Sequence, residues 1–502
     1  MPDPEKEKLI LEETVYDLQK DFEELEYIAR SGITQLNRFE LNLERVRKSI
    51  IPEILIDIKN NINLLISQYN NLLQRLSTAK KDLNETNKSQ KAILEASFHK
   101  RVNFEKLRAL YNQTAAAVTS LDWQSPTASH TLFSQAGSQT GKILATLIDY
   151  KRDAHLDETG YEKKFLNQNI DALVKVGIKT YMTASGMAAF TTIFNFLMGE
   201  GKLEGKVLLG KSSYFQYKNL LSNPLDDRII EFDEIDLEKL KDLVKKVRPS
   251  AIFIDSLCNT ADLPFPDLKS LIKYMEKECD WNIFLVIDNT CLSTSFQPFR
   301  TLSPLKRNIG LIVFESLMKY HHFGMDRTTG GIIVARGKDI GKLYDWRKNS
   351  GTNITDMGVY QFPIPNRKML DRRLKRFSRN TSILTQKLQQ FIDTTSGKYV
   401  NSIIYPVQKP TFTGSFFNIG FTKPDVKLYK QFIKSVMEEA KRAKVEFHHG
   451  TSFGLNHTRI YLTSLWTKYG DPFIRISVGT ENRLEIEKIL TVLEKTVRII
   501  NG

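Results

Sequence analysis

Two runs of apolar residues constrain this chain more than any other feature: Ile283-Phe284-Leu285-Val286-Ile287 and Leu311-Ile312-Val313-Phe314. Neither alternates with polar residues, so neither is a strand with one wet face. Both are short for a buried helix and carry β-branched residues. They read as strands of a parallel sheet, buried on both faces by covering helices. The first ends in Asp288-Asn289-Thr290; the second ends in Glu315-Ser316, with Lys319 three residues on. Ligands of open α/β sheets sit beyond the carboxyl ends of strands, which makes Asp288 and Lys319 candidate site residues. The plainer alternatives are a helix N-cap and a solvated loop lysine. A lysine held in a partly dry place has a lowered pKa and can act as an amine nucleophile toward carbonyls.

The alternation of strand and helix extends both ways. Thr180 to Ala184 reads as a strand, and Ser185-Gly186-Met187 opens a helix whose free N–H groups and positive dipole end suit a phosphate. Val207 to Leu209, Arg228 to Phe232 and Ala251 to Asp255 are further strands, with a helix near Asp236 to Val247. Ile332 to Val334 follows Gly330-Gly331. This order predicts a mostly parallel sheet with crossover helices. Beyond it come a basic helix, Asn366 to Asp393, and a smaller α+β region. In that region strands lie near Ser402–Tyr405 and Ser415–Phe421, and a helix runs from Asp425 to about Ala443.

The first 120 residues are different. Residues 5 to about 123 read as helical, with Pro52 in the first turn of a new helix. Ile58, Ile62, Leu65, Tyr69, Leu72 and Leu76 alternate steps of four and three, a seam for a neighbouring helix that implies a coiled-coil-like hairpin or bundle. Ser125 to Ser129 breaks the pattern as a linker.

At 502 residues the chain exceeds one ordinary core, so several domains are expected. No stretch of about 18 apolar residues implies a membrane span, and MPDPEKEK lacks the apolar core of a signal peptide. Three cysteines, Cys258, Cys279 and Cys291, have no disulfide or metal-ligand spacing and read as buried thiols of a reducing, cytoplasmic protein. The net charge of +14 lies outside the helical segment, where residues 1–140 hold 18 basic against 19 acidic groups. The densest basic stretch, Arg367 to Arg379, reads as a solvated helix face. No aromatic-interleaved or zinc motif argues for nucleic acid.

An acid and an amine at neighbouring strand ends are what pyridoxal 5'-phosphate (PLP) requires: a lysine for its aldehyde and an acid to keep its pyridine nitrogen protonated. Asp288-Asn289-Thr290, Ser316-Leu317-Met318-Lys319-Tyr320, Asp326 and Gly330-Gly331 occur in order. On these motifs the chain, over roughly residues 145 to 500, resembles the Cys/Met metabolism (trans-sulfuration) family of fold-type-I PLP enzymes, which includes cystathionine γ-synthase and γ-lyase. The resemblance implies an α/β fold with a mostly parallel seven-stranded sheet in a large domain and a small C-terminal α+β domain. The expected division is a helical extension (1–124), a linker and arm (125–160), the large PLP-binding domain (161–365) and the basic helix with the small domain (366–502).

The resemblance also implies roles. Lys319 forms the Schiff base, Asp288 faces the ring nitrogen, and Tyr214 stacks on the ring. Ser185, Gly186, Met187 and Ser316 surround the phosphate, and Asn259 bonds the ring hydroxyl. Tyr150 and Arg152 reach the phosphate of a neighbouring subunit, which implies a homodimer or homotetramer with shared sites. Arg475, in Arg475-Ile476-Ser477-Val478-Gly479, grips the substrate carboxylate, and Ser452 orients the lysine. No metal is implied. On the residues alone, Tyr214 also reads as a half-buried helix tyrosine, Asn259 as a turn residue and Arg475 as an outward strand arginine. The chain departs from the family at Met318 (threonine there), Gly324 (histidine) and Phe215-Gln216 (Gly-Gly). The expected function is PLP-dependent γ-replacement or γ-elimination, a transferase or lyase reaction on an amino acid. The competing expectation is an inactive PLP-fold scaffold or regulator whose helical N-terminus binds a protein partner.

Overall fold

The computed structural model describes residues 4–47, 50–85, 90–121, 157–395, 397–406, 412–463 and 470–502. Tyr150, Arg152 and nearly all of the expected linker lie outside the described residues. Three long helices come first: α1 (Pro4–Val46), α2 (Pro52–Glu85) and α3 (Gln90–Val118), each packed on the other two. The seam in α2 buries Ile62, Leu65, Tyr69, Leu72 and Leu76 and continues through Ala79 and Leu83. Buried hydroxyls are partnered: Tyr111 donates to the Ile28 carbonyl at 2.8 Å, and Tyr69 meets Thr114 at 3.0 Å. Each fully buried side chain along this seam contributes about 1.5–3 kcal/mol.

The seven-stranded sheet comprises β1 (Lys179–Thr183), β2 (Val207–Gly210), β3 (Ile229–Phe232), β4 (Ala251–Asp255), β5 (Ile283–Asp288), β6 (Ile309–Ser316) and β7 (Gly331–Arg336). Its order is β1-β7-β6-β5-β4-β2-β3, parallel except for β7, which runs antiparallel to β1 and β6. The two apolar runs are the near-central strands β5 and β6, and one hydrophobic core covers each face of the sheet. Asp255 stands in register with Asp288, and Asp288 with Phe314, so the carboxyl ends of β4 and β5 lie level and β6 runs two residues further.

The second sheet has β8 (Val400–Ile404), β9 (Phe416–Phe421), β10 (His448–His449), β11 (Arg459–Thr463) and β12 (Phe473–Ser477), in the order β10-β11-β12-β9-β8. Helices Val426–Ala443 and Arg483–Asn501 bury their apolar sides in its core. The 27-residue helix Arg367–Asp393 links the two sheets; its Asn366 cap accepts from the Met369 N–H at 3.2 Å.

This helix corrects the reading of its arginines as a solvated face. Arg373 bonds Glu24 at 2.7 Å, Arg376 and Arg379 bond Asp17 at 3.0 and 2.6 Å, and Arg372 bonds Glu23. Helical spacing puts these arginines on one face but does not say what covers it, and the acids of α1 do. Smaller ties complete the seam. Arg483 bonds Glu13 at 2.8 Å, and Glu446 lies between Arg101 of α3 and His457. No described helix is long and apolar enough to cross a membrane.

Candidate active site

The level ends of β4 and β5 bring two carboxyl groups together. Asp288 is half-buried, and its Oδ1 accepts from the Thr290 N–H at 2.9 Å. Burial pushes its pKa up to about 6, against the pull of the Thr290 bonds. Asp255 is buried and accepts from the Tyr217 phenol and, at 3.2 Å, from the Tyr214 N–H. Burial, then the charge of Asp288, pushes Asp255 well above the carboxylate range. Low dielectric and like charge act in the same direction here.

Lys319 occupies the turn after β6. Its Nζ donates to Ser452 Oγ at 2.7 Å and lies 5.0 Å from the Phe453 ring centroid. Burial first, and the repulsion of Arg475, lower its pKa, while Cys291, Asp326 and Asp288 pull the other way. Amine and acid sit within reach of each other's charge. Ser452 has φ +77°, a left-handed conformation that costs a serine energy and that packing must hold in place.

At the far end of the sheet, the 14-residue helix Gly186–Gly199 begins just after β1, with Ser185 Oγ accepting from the Ala188 N–H at 3.0 Å. A β-carbon on Gly186 would stand 2.8 Å from the Ser316 Cβ, so only glycine lets this helix start approach the end of β6 so closely. The result is a cradle of backbone amides at a positive dipole end.

Arg475 lies in β12, buried between the rings of Phe416 (4.7 Å) and Phe473 (5.4 Å). Nη2 donates to the Asn259 carbonyl at 3.2 Å, and among the described residues Nε has no hydrogen-bond partner. Among the described residues no carboxylate pairs with it. Burial pulls its pKa down to about 10, so it stays cationic at neutral pH. Asn259 Oδ1 is likewise buried without a partner. Buried polar atoms are rarely left so, and a buried lone cation is more costly still. Both fit a polar ligand.

Tyr214 is half-buried; burial first, then Asp288 and Asp255, raises its pKa. Its phenol donates to Gln216 at 3.0 Å, so one of the residues replacing Gly-Gly anchors this ring. The structure brings Lys319, Asp288, Tyr214, Asn259, Arg475 and Ser452 together, with Ser185, Gly186, Met187 and Ser316 at the helix cradle. Sequence reasoning missed Asp255 as the neighbour of Asp288, although its place at the end of a parallel strand was the signal. Cys258 and Cys291 are buried, and burial raises both thiols well above their usual range.

The model of the Cys/Met metabolism PLP-dependent enzymes matches residues 125–415, more than half of the chain. The chain belongs to this family. As a Cys/Met metabolism enzyme it depends on PLP, and the site fits that cofactor. It offers an amide cradle, an acid of raised pKa, a desolvated lysine and two orphaned polar atoms. The bifunctional enzyme flvA of Aspergillus flavus is 21% identical over 352 residues, 68% of this chain and 42% of that protein, so the chain spans under half of that relative. Two solved structures share the fold. Cystathionine γ-synthase from Xanthomonas oryzae pv. oryzae, complexed with aminoacrylate and cysteine, has TM-score 0.54 and 18% identity over 70% of this chain and 88% of that one. Cystathionine γ-lyase from Lactobacillus plantarum, complexed with L-serine, has TM-score 0.53 and 17% identity over 71% and 91%.

Proposed function

We propose that this enzyme carries out γ-replacement or γ-elimination on an amino acid held by its carboxylate. Arg475 carries the reading: a buried cation that, among the described residues, has no acid of its own lies within charge range of a lysine whose charge burial disfavours. A planar guanidinium suits a carboxylate better than a point charge does. An inactive scaffold, the competing expectation, gives that uncompensated charge no purpose.

In this reading Lys319 would hold the cofactor by its aldehyde, with Asp288 as the acid that would keep it protonated and Tyr214 as a further holding residue. Asn259 would bind it too, and the Gly186 and Met187 amides, with Ser185 and Ser316, would hold its phosphate. PLP, when bound, supplies the electron sink for a carbanion at the substrate Cα. Arg475 fixes the substrate carboxylate. Ser452 aims the Lys319 amine, which takes the Cα proton as general base. Loss of a γ-substituent after a further deprotonation at Cβ follows from the family resemblance, and the structural relatives, a cystathionine γ-synthase and a cystathionine γ-lyase, support it. The division at residues 124, 160 and 365, a cytoplasmic location, and a homodimer or homotetramer sharing sites through Tyr150 and Arg152 belong to the same proposal.

The test is a spectral screen of the purified enzyme with amino acids, including O-acylated homoserines, with and without a thiol. A thioether product formed only with the thiol indicates replacement; 2-oxo acid and ammonia without it indicate elimination. An enzyme that binds PLP but forms neither product, with no substrate-induced change in its visible band, would contradict the reading.

A further inference from the structure

The helical unit has no counterpart in the family resemblance, yet it converges on the segment that carries Lys319. Arg108 of α3 donates to the Met325 carbonyl at 2.8 Å. The Tyr27 ring of α1 meets Phe323 at 5.3 Å. Against Phe323 also lies Arg373, one of the largest fully buried side chains among the described residues. Its Nη1 donates to Glu24 of α1 at 2.7 Å, and its Nη2 donates to the Gly454 carbonyl at 3.1 Å and Asn456 Oδ1 at 2.6 Å. Gly454 and Asn456 belong to the loop that holds Ser452, the partner of Lys319.

One departure from the family pattern now has a cause. Gly324, where histidine is usual, has φ +75°, and a β-carbon there would stand 2.9 Å from Arg373 Nη2 and closer still to Asn456 Oδ1. Glycine makes the room that this guanidinium occupies. Removing Glu24 would leave Arg373 as a buried cation without an acid.

We infer that Arg373 is a positioning residue for Lys319. Glu24 fixes its guanidinium, which clasps the Ser452 loop against the Phe323–Met325 turn, so the helical unit sets the geometry of the reactive amine. Planar donors pointing in several directions join these segments; a lysine presents one charged point. The inference rests on the proposed role of Lys319, but its test does not need the cofactor.

Amide hydrogen exchange is measured on the cofactor-free, full-length chain for wild type, Glu24→Gln, Arg373→Lys and a control, Glu13→Gln. The control weakens the same seam at Arg483, away from the loop. Both test variants are expected to exchange about tenfold faster at residues 319–326 and 450–457, with the control at wild-type rates there. With PLP and substrate, kcat falls about tenfold at unchanged KM, as expected when the reactive amine alone is misplaced. Arg373→Lys decides the matter if Glu24→Gln fails to fold. Wild-type exchange in the test variants, or equal acceleration in the control, overturns the inference. A chain that takes up no PLP would instead sink the proposed function and leave the exchange result intact.

Discussion

Arg373 and Arg475 are both buried arginines, about 100 positions apart, and they solve the same electrostatic problem in opposite ways. Arg373 has Glu24, a backbone carbonyl and an asparagine. Both lie against two aromatic rings and leave Nε without a hydrogen-bond partner, but Arg475 has one backbone carbonyl and, among the described residues, no acid. A buried cation balanced within the chain holds structure together. One left unbalanced costs stability, and in the proposed function a substrate carboxylate makes up the deficit. Arg347 belongs with the first kind: Glu158 and, at 2.7 Å, Glu162 surround it.

The contrast breaks most visibly in kinetics. Arg475→Met is expected to lower kcat/KM for the amino-acid substrate by roughly 100- to 1000-fold, the usual effect of deleting one partner of a buried ion pair. Steady-state kinetics check it, and a loss under tenfold would show that the carboxylate is bound elsewhere. Stability sharpens the comparison through its sign. Arg373→Met should cost about 3 kcal/mol in denaturant unfolding because Glu24 is left unpaired. Arg475→Met should stabilise the cofactor-free chain by about 1 kcal/mol, since it removes an unpaired buried charge. Equal signs would end the distinction between the two sites.

A third, smaller effect is pH-dependent. Asp288 has a folded pKa of about 6, raised from 3.8 by burial. The stability it contributes is therefore present below about pH 4 and lost as pH rises through 6. Asp288→Asn should leave cofactor-free stability near wild type at pH 4 and raise it by about 2 kcal/mol at pH 7.5, less some screening at this half-buried position. Urea midpoints at the two pH values test this. The smallest effect is Glu13→Gln, expected within about 1 kcal/mol because Glu13 is only partly buried.

Much of the site was legible because parallel strands announce themselves. Unbroken apolar runs located β5 and β6, and the residues after them, Asp288 and Lys319, followed from the geometry of strand ends. Gly186 and Arg475 were found through short motifs whose spacing a helix start and an alternating strand preserve. The seam between α1 and the basic helix was not legible. Charge spacing shows that Arg372, Arg373, Arg376 and Arg379 share a face, but contacts about 350 residues apart leave no periodic trace. Nothing in the sequence pairs Asp17, Glu23 and Glu24 of α1 with these arginines, and the departure at Gly324 gains its reason only from the side chains of Asn456 and Arg373 beside it.

The account stands on Lys319 as the amine that carries the cofactor. Borohydride reduction of the PLP-loaded enzyme followed by peptide mass mapping tests that directly. The account predicts a single pyridoxyl label, on Lys319, and none in Lys319→Ala, which also loses the absorption near 420 nm expected of the family. A label on another lysine, or a chain that takes up no PLP, would contradict it.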